Sequence, residues 1–454
     1  MSGLESRLAV AAGLACVALS FGAFAQDGPV FEQIPIDDSS EPRLQHGAGM
    51  EIVDVDGDGD LDVVMAASLT DGVALYTNGG GGRAWTRSWI AEPGSLVATD
   101  VAVADLDGDG DLDIAAVGLF DRAAEFASPG RVAWFENRAG SWIRHEVTEP
   151  SFWGAYQIAA ADLTGDGRPD LVIGATEIPD ESGTPRGNGL WWIRNVSNGA
   201  SWGAPIAIDP DLARVVSIDV GEANGSGPFV VAAGNASGEV VRYSSSVSNG
   251  AVAFQRQLLV RVESPLACEI VGNRVAVAHN TPDGGRVLAL VPGSPAMVVA
   301  DGFGGGSMAR LASADFDGDG VLDLAACARD AGDVRIYLSP SAARTVYEPV
   351  LVASGYQGPN SMAAGDLDGD GRFDIVTATY NNMDGSIDRV DLWRTPAVVA
   401  GAGAPPAEET PPAEETPPAE ETPPAEETPP AEETPPAEET PPAEETPPAE
   451  ETPP

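Results

Sequence analysis

Short apolar runs alternate with turns rich in glycine and aspartate between about residue 30 and residue 396. Runs such as VVMAAS after Asp62, IAAVG after Asp113 and LVIGA after Asp170 show no polar alternation. Strands of this kind are typically covered on both faces. A polar loop follows each run, then an aromatic-bearing strand such as Val132 to Phe135, then one further strand such as Trp142 to Val147. The pattern predicts an all-β chain built from many short strands.

One nine-residue pattern organises these runs into repeats. DVDGDGDLD, DLDGDGDLD, DLTGDGRPD, DFDGDGVLD and DLDGDGRFD begin at Asp54, Asp105, Asp162, Asp315 and Asp366. Successive spacings are 51, 57, 153 and 51 residues, so the long gap has room for two degenerate copies. IDVGEANGSGPFVVAAGN around Asp219 and CEIVGNRVAVAH from Cys268 keep the strands without the aspartates. The count is seven repeats of about 50 residues.

Four short strands in each repeat at this period predict a seven-bladed β-propeller over residues 26–398. The seventh repeat stops at Pro396, before its outer strand. The segment Phe31 to Ile36 resembles the outer strands of the other repeats. We therefore expect residues 30–37 to supply the last strand and close the ring, which removes an exposed sheet edge.

The aspartate pattern supplies oxygen ligands at positions 1, 3, 5 and 9 and a main-chain carbonyl at position 7. A hard cation such as Ca²⁺ takes six to eight oxygens, and carboxylates packed this densely repel one another without one. We predict up to five Ca²⁺ sites. Their side-chain ligands are Asp54, Asp56, Asp58, Asp62; Asp105, Asp107, Asp109, Asp113; Asp162, Thr164, Asp166, Asp170; Asp315, Asp317, Asp319, Asp323; and Asp366, Asp368, Asp370, Asp374. The carbonyls at position 7 belong to Asp60, Asp111, Arg168, Val321 and Arg372.

Two other interpretations of these loops fit the sequence less well. An EF-hand needs a glutamate at position 12, where this chain has Met65, Ala116, Ile173, Ala326 and Thr377. Plain Asp-Gly turns would not require five copies in one frame. Thr164 lowers the charge of the third loop and should weaken it. A calcium ion that holds such a turn stabilises the fold and does not identify a ligand.

The five loops, their apolar runs and the VAWFEN segment at Val132 to Asn137 resemble the FG-GAP/VCBS repeats of secreted bacterial proteins. These repeats are related to the propeller of integrin α subunits. The resemblance implies calcium in the loop between the first and second strands of a blade, with recognition on the opposite face. The fourth and fifth repeats depart from the pattern, with Gly221 and Ala223 where loop carboxylates would stand.

The opposite face provides candidate ligand contacts, because long loops on a rigid scaffold are frequent binding sites. Blades 2, 3 and 7 have long loops on that face, and other candidates lie where the chain enters an inner strand. The candidates are His46, Phe120, Arg122, Phe126, Trp153, Tyr156, Arg186, Arg214, Asn360, Tyr380, Asn381 and Asn382. For each of them, ordinary loop packing is the competing interpretation.

Two functional classes remain open from the sequence. The first is an extracellular binding or adhesion module for a protein or glycan. The second is a lyase-like enzyme that acts on polysaccharide, for which Trp191-Trp192 could stack on sugars. The chain has three histidines, no zinc motif of the H-E-x-x-H type and no nucleophile elbow, so binding is favoured.

The N-terminal segment and the cysteines point to an exported protein. Residues 8–25 are uncharged and mostly apolar and end in Ala23-Phe24-Ala25, the small-x-small pattern of a signal-peptide cleavage site. We expect residues 1–25 to be removed and the protein to be secreted, periplasmic or on the cell surface. Cys268 and Cys327 would remain, either as a disulfide or as two small buried residues, and the apolar strands around them favour the second.

The charge is strongly acidic and unevenly distributed. The chain has 70 acidic and 24 basic residues, a net charge of −46. Nucleic acid and anionic membranes are therefore poor partners, and we expect a monomeric propeller without membrane insertion. Residues 399–454 include eight copies of PPAEET with sixteen glutamates, which predicts a disordered, extended spacer.

Overall fold

The computed structural model describes residues 29–38, 47–68, 70, 72–118, 129–148, 152–179, 182, 184–223, 227–248, 251–303, 309–342, 344–356, 358–380 and 388–399. These residues form β-strands and turns, with no helix among them. Within this part of the chain, no helix has the length and apolar character needed to cross a bilayer. The predicted signal peptide and the proline-rich tail lie outside the described residues.

The described strands form seven antiparallel sheets of four strands each, which are the blades of a propeller. Blade 7 is completed by β1 (Glu32–Asp37) from the start of the chain. Blade 1 contains β2 (Gly47–Val53), β3 (Asp62–Ala67), β4 (Gly72–Asn78) and β5 (Trp85–Ala91); blade 2 contains β6 (Ala98–Ala104), β7 (Asp113–Gly118), β8 (Arg131–Arg138) and β9 (Ser141–Glu146).

The remaining blades follow in chain order. Blade 3 contains β10 (Ala155–Ala161), β11 (Asp170–Ala175), β14 (Gly189–Ile193) and β15 (Ile206–Asp209), and the short hairpin of β12 (Ile178–Pro179) and β13 (Pro185–Arg186) lies between its second and third strands. Blade 4 contains β16 (Val215–Ala223), β17 (Gly227–Gly234), β18 (Glu239–Ser248) and β19 (Ala251–Arg261); blade 5 contains β20 (Pro265–Val271), β21 (Arg274–Thr281), β22 (Gly284–Leu290) and β23 (Met297–Phe303). Blade 6 contains β24 (Ala309–Ala314), β25 (Asp323–Ala328), β26 (Asp333–Leu338) and β27 (Glu348–Ala353); blade 7 contains β28 (Pro359–Gly365), β29 (Asp374–Thr379), β30 (Val390–Arg394) and β1.

The ring is closed by the strand that the sequence places at Phe31 to Ile36. In the structure β1 pairs antiparallel with β30, with Glu32 opposite Arg394 and Ile34 opposite Leu392. Asp37 at its end accepts hydrogen bonds from Tyr76 at 3.0 Å and Arg87 at 2.6 Å, both in blade 1. The first strand therefore joins blade 7 to blade 1.

The hydrophobic core is divided among the contacts between blades. The apolar runs predicted to be buried form the second strands β3, β7, β11, β25 and β29, whose residues are all buried. Seven hydrophobic clusters are found among the described residues, one at each junction of neighbouring blades. Because a second strand is covered by the neighbouring blade on each face, polar residues do not alternate with apolar ones along it.

Blades 4 and 5 reach the same shape without aspartate loops. Gly221 and Ala223 lie inside β16. In the blades with aspartate loops the corresponding positions belong to the loop, so β16 is longer than the repeat pattern predicts. In blade 5 a turn at Gly272-Asn273 joins β20 to β21. Cys268 in β20 and Cys327 in β25 are buried free thiols in different blades.

Candidate functional site

The five aspartate loops join the first and second strands of blades 1, 2, 3, 6 and 7, all at one end of the strands. In the loop of blade 2, Asp105 accepts hydrogen bonds from the amides of Gly108 at 2.7 Å and Gly110 at 3.1 Å. Both glycines have positive φ, 80° and 98°, a conformation that side chains other than that of glycine rarely adopt. The alternating Asp-Gly pattern thus folds the loop around its own carboxylates.

The aspartate at position 9 fixes each loop to the blade. Asp113 is fully buried and accepts hydrogen bonds from the amides of Leu106 at 2.9 Å and Asn137 at 2.9 Å. The equivalent residues of the other loops are 0–1 % exposed. Burial raises the pKa of Asp62, Asp113 and Asp170 to about 6, and that of Asp323 and Asp374 to about 7. A nearby cation would favour the ionised form of each of these carboxylates.

Carboxylates converge in four of the loops. Groups of three place one oxygen each within 4.8 Å of the others: Asp54, Asp56, Asp58; Asp105, Asp107, Asp113; Asp315, Asp317, Asp323; and Asp366, Asp368, Asp374. In the third loop, Thr164 donates to Asp162 at 3.2 Å, and Oδ2 of the fully buried Asp170 has no hydrogen-bond partner among the described residues. All-oxygen donor sets of this kind suit a hard cation, so these loops could hold a metal ion.

Arginines distinguish the later loops from the first two. Arg344 bonds to Asp317 at 2.6 Å and Asp319 at 2.9 Å, and Arg194 bonds to Asp166 at 2.9 Å. Further ion pairs link Arg394 to Asp368, Arg168 to Asp166 and Arg372 to Asp370. No arginine pairs with the loops of blades 1 and 2 among the residues described. The negative charge of those two loops is therefore the least compensated.

Asparagines connect the loops of neighbouring blades. An asparagine lies at or near the end of the third strand in blades 1, 2 and 3: Asn78 in β4, Asn137 in β8 and Asn195 two residues after β14. Its side-chain amide donates to the position-2 carbonyl of the preceding loop, at Leu367, Val55 and Leu106 respectively, over 2.8, 3.4 and 2.8 Å. A change in one loop can thus be transmitted to the next.

An aromatic groove lies at the junction of blades 2 and 3. Its volume is about 490 Å³, and its lining includes Phe152, Trp153, Trp191 and Trp202. Trp191 is half-buried, packs edge-on against Phe152 at 5.8 Å and donates its indole N–H to Asn188. The indole nitrogen of Trp202 is buried and has no partner among the described residues. The groove therefore presents aromatic surface, while the indole nitrogen of Trp202 is closed off from it.

The residues predicted for the ligand face divide into two groups. His46, Phe120, Arg122, Phe126, Asn381 and Asn382 lie outside the described residues. Trp153 lines the aromatic groove, beside the main chain of Gly187 that follows Arg186. The amide of Arg214 donates to Asn188 at 2.7 Å, and Arg329 stacks on Tyr380 at 5.2 Å. Tyr156 is half-buried in β10, and Asn360 is buried in β28.

The structure separates the tryptophan pair of blade 3. Trp191 lines the groove, whereas Trp192 is 5 % exposed and packs between blades 3 and 4. Alternation along a strand sends neighbouring side chains to opposite faces, so the pair cannot form a single platform. Trp202 belongs to no repeated motif, and only its position between β14 and β15 brings it to the groove.

Comparison with known proteins supports the repeat assignment. An FG-GAP-like repeat matches residues 54–116 and 315–377, and an FG-GAP repeat matches residues 154–188. No curated protein matches the sequence significantly. The first two matched ranges cover the loops of blades 1 and 2 and those of blades 6 and 7, and the third covers the loop of blade 3.

Two solved structures are similar to this chain at low sequence identity. The structure of BBS1N in complex with ARL6DN is 13% identical, with a TM-score of 0.51, and the match covers 81% of this chain and 98% of that chain. The NanB sialidase from Streptococcus pneumoniae is 10% identical, with a TM-score of 0.40, over 77% of this chain and 68% of that chain. Identities this low speak only to the fold. The chain is a seven-bladed β-propeller that carries FG-GAP repeats in the blades with aspartate loops.

Proposed function

We propose that this chain is a calcium-stabilised extracellular binding module, monomeric, that recognises a glycan in the aromatic groove between blades 2 and 3. The observation that carries the proposal is the set of half-buried tryptophans Trp153, Trp191 and Trp202 around one concave surface. Binding sites are typically concave surfaces with aromatic walls and a few placed polar groups.

Calcium is the proposed metal of the loops. Their donors are carboxylates, a threonine hydroxyl and main-chain oxygens, the ligand types that Ca²⁺ prefers. Its role here is structural, because the loops join strands within each blade and contact the loop of the preceding blade through Asn78, Asn137 and Asn195. Calcium would therefore hold the scaffold rigid around the groove.

A sugar is the ligand that suits the groove best. The faces of a pyranose ring are apolar and stack on indole rings, while its hydroxyls accept hydrogen bonds. The indole N–H of Trp202 is buried, so the contribution of Trp202 to sugar binding is the stacking surface of its half-buried ring. An exported protein, as residues 8–25 suggest, would meet polysaccharide outside the cell.

The test is a glycan-array screen of the calcium-loaded chain from residue 26, followed by titration with the strongest ligand. We expect Trp202→Phe to weaken binding of that ligand severalfold, because a phenyl ring offers less stacking surface than an indole ring. Trp153→Ala should weaken it further by removing stacking surface.

Trp134→Phe is the matched control. Its indole nitrogen is also buried without a partner among the described residues, but Trp134 packs on His145 at 4.6 Å and does not line the groove. Equal loss of binding in Trp134→Phe and Trp202→Phe would contradict the groove as the glycan site. Release of reducing or unsaturated sugar ends during the titration would instead favour the polysaccharide-active enzyme.

A further inference from the structure

The innermost strands of the blades enclose a central channel of about 460 Å³. In blades 1, 2, 3, 6 and 7, one residue of the innermost strand pairs with the residue two positions after the buried aspartate of that blade. These innermost residues lie at one level of the channel. At this level Glu51, Asp219 and Glu269 line the channel, and we call them the acidic ring. Alanines occupy the same level in blades 2, 3, 6 and 7, at Ala102, Ala159, Ala312 and Ala363.

The level two residues earlier in the same strands is mixed in charge. It includes Asp100, Arg310, Ser217 and Ser361. The charges of Asp100 and Arg310 offset each other there. The acidic ring has no basic residue at its own level, so ionisation of its carboxylates is not compensated by the protein at that depth.

The polar groups of the channel are only partly satisfied by the protein. Asp219 accepts hydrogen bonds from the amides of Val220 at 2.7 Å and Ile270 at 2.6 Å, and Glu269 accepts one from Ser313 at 2.9 Å. The carboxylate of Glu51 has no hydrogen-bond partner among the described residues. Glu51 is exposed to the channel and shares it with two other carboxylates, an arrangement that favours a counter-charge from outside the chain.

A second observation is independent of the carboxylates. Ser361 is 4 % exposed and lines the channel, and its side-chain hydroxyl has no hydrogen-bond partner among the residues described. The hydroxyl oxygen keeps some accessible surface, which places it on the channel wall. It offers a hydrogen bond to a bound molecule near the mixed level.

We propose that the channel binds a small organic cation, an alkyl ammonium, held by Glu51, Asp219 and Glu269. A directly coordinated metal ion fits less well, because the described carboxylate triads that converge within 4.8 Å lie in the loops and do not include channel residues. A polyatomic ligand can bridge oxygens that are further apart. The alanines at the same level leave room for its carbon chain.

The raised pKa values of the channel carboxylates agree with binding of a cation. Burial, with repulsion from Asp100 and Asp219, raises the pKa of Glu51 to about 8, and burial raises that of Asp100 to about 7 and Asp219 to about 6. Burial raises the pKa of Glu269 well above its usual value, and it also raises the pKa of the Cys268 thiol, which lines the channel. Among the described residues, Arg310 is the basic group that faces the channel. A bound ammonium favours the ionised acids, so binding should release protons and strengthen between pH 6 and pH 8.

The experiment uses the full chain saturated with calcium, so that the loops are filled. Calorimetric titration with 1,4-diaminobutane should show binding, and the uncharged 1,4-butanediol should not bind. Repeating the titration in buffers of different ionisation enthalpy measures the released protons. Glu51→Gln and Glu269→Gln should each weaken the diamine about tenfold, since each removes one charge-assisted hydrogen bond.

The controls separate the channel from the general acidity of the chain. Glu92→Gln makes the same change at an exposed site and should leave the affinity unaltered. Ala363→Leu narrows the channel without changing a carboxylate and should abolish binding. If the Gln variants fail to fold, Ala363→Leu and the proton release measured on the unaltered protein test the proposal.

Three results would overturn the proposal. The first is no heat with the diamine. The second is equal weakening by Glu92→Gln and Glu51→Gln, which would place the diamine on the protein surface. The third is that Mg²⁺ alone displaces the diamine and binds more tightly than the diamine does, in a way that depends on Glu51. That result would make the channel a metal site.

Discussion

Asn78 in blade 1 donates a hydrogen bond from Nδ2 to the main-chain oxygen of Leu367 in blade 7, at 2.8 Å. Its Oδ1 accepts from the amides of Gly80 at 3.1 Å and Gly82 at 3.3 Å, and its own amide donates to Asp62 at 2.8 Å. The side chain is 2 % exposed. Together with β1, this residue joins the first and last blades of the ring.

Asn78→Ala should lower the free energy of unfolding by about 2–3 kcal/mol, because the change leaves buried main-chain donors and acceptors without partners. Chemical denaturation at fixed calcium measures it. Asn273→Ala, in the exposed turn of blade 5, removes the same side chain from a site without such bonds and should be close to neutral. Equal effects of the two changes would argue against a closing role for Asn78.

Removal of calcium should lower the midpoint of thermal unfolding, and added Ca²⁺ should restore it. A ligand that binds only the folded state stabilises it by about 2.7 kcal/mol per site when present at one hundred times its Kd. Differential scanning calorimetry in EDTA and in millimolar Ca²⁺ tests this. An unchanged midpoint would mean that the aspartate loops are not metal sites, and Mg²⁺ serves as the comparison ion.

Arg344→Met should act in opposite directions with and without calcium. Arg344 neutralises Asp317 and Asp319, and its side chain is only 11 % exposed. Without calcium, its loss leaves two carboxylates unpaired and should destabilise blade 6. With calcium, removal of a positive charge beside the ion should strengthen binding at that loop severalfold.

Unfolding midpoints in EDTA and calcium titrations measure the two effects of Arg344→Met. Arg286→Met is the control, because its partner Asp301 is on the surface and far in sequence from any aspartate loop. If Arg344→Met lowers the unfolding midpoint equally with and without calcium, the arginine and the ion do not compete for the loop carboxylates.

Gly49→Ala should destabilise the protein by about 1–3 kcal/mol through overpacking. A Cβ at Gly49 would lie 1.6 Å from Oδ1 of Asp100 and 2.8 Å from its Cα, so the two inner strands would have to separate. Thermal unfolding measures the change. Gly203→Ala is the matched control, since its nearest neighbour atom would be 3.5 Å away, and a similar loss there would remove the packing explanation.

Stability of the calcium-loaded protein should fall as the pH rises from about 5 to about 8. The pKa of Glu51 is raised to about 8 and that of Asp100 to about 7 in the folded protein, whereas in the unfolded chain these groups titrate near 4. The folded state therefore binds more protons across this window, and its stability decreases as those protons are lost. Thermal unfolding at intervals of pH tests the slope.

Glu51→Gln should flatten that slope, because a neutral amide cannot lose a proton. Glu92→Gln, at the surface, should leave it as in the unaltered protein. Identical slopes for Glu51→Gln and the parent chain would show that Glu51 does not carry the dependence.

Local features of this protein follow directly from its sequence. The aspartate at position 1, the glycines with positive φ and the aspartate at position 9 form one continuous stretch, so each loop is determined by residues that are neighbours in the chain. The apolar runs predicted to be covered on both faces are the buried second strands, and the spacing of the repeats gave the number of blades. The strand at the N-terminus could be placed because one repeat lacked its outer strand.

Other features depend on residues that come together only when the ring closes. Glu51, Asp219 and Glu269 each interrupt an apolar inner strand, and the sequence holds this signal, but their shared level in the channel requires the register of separate blades. Trp153, Trp191 and Trp202 meet because two blades pack side by side. A repeat sequence determines its own turns and strands, since those contacts are short-range. Which side chains face one another across the ring depends on long-range packing, which only the tertiary structure decides.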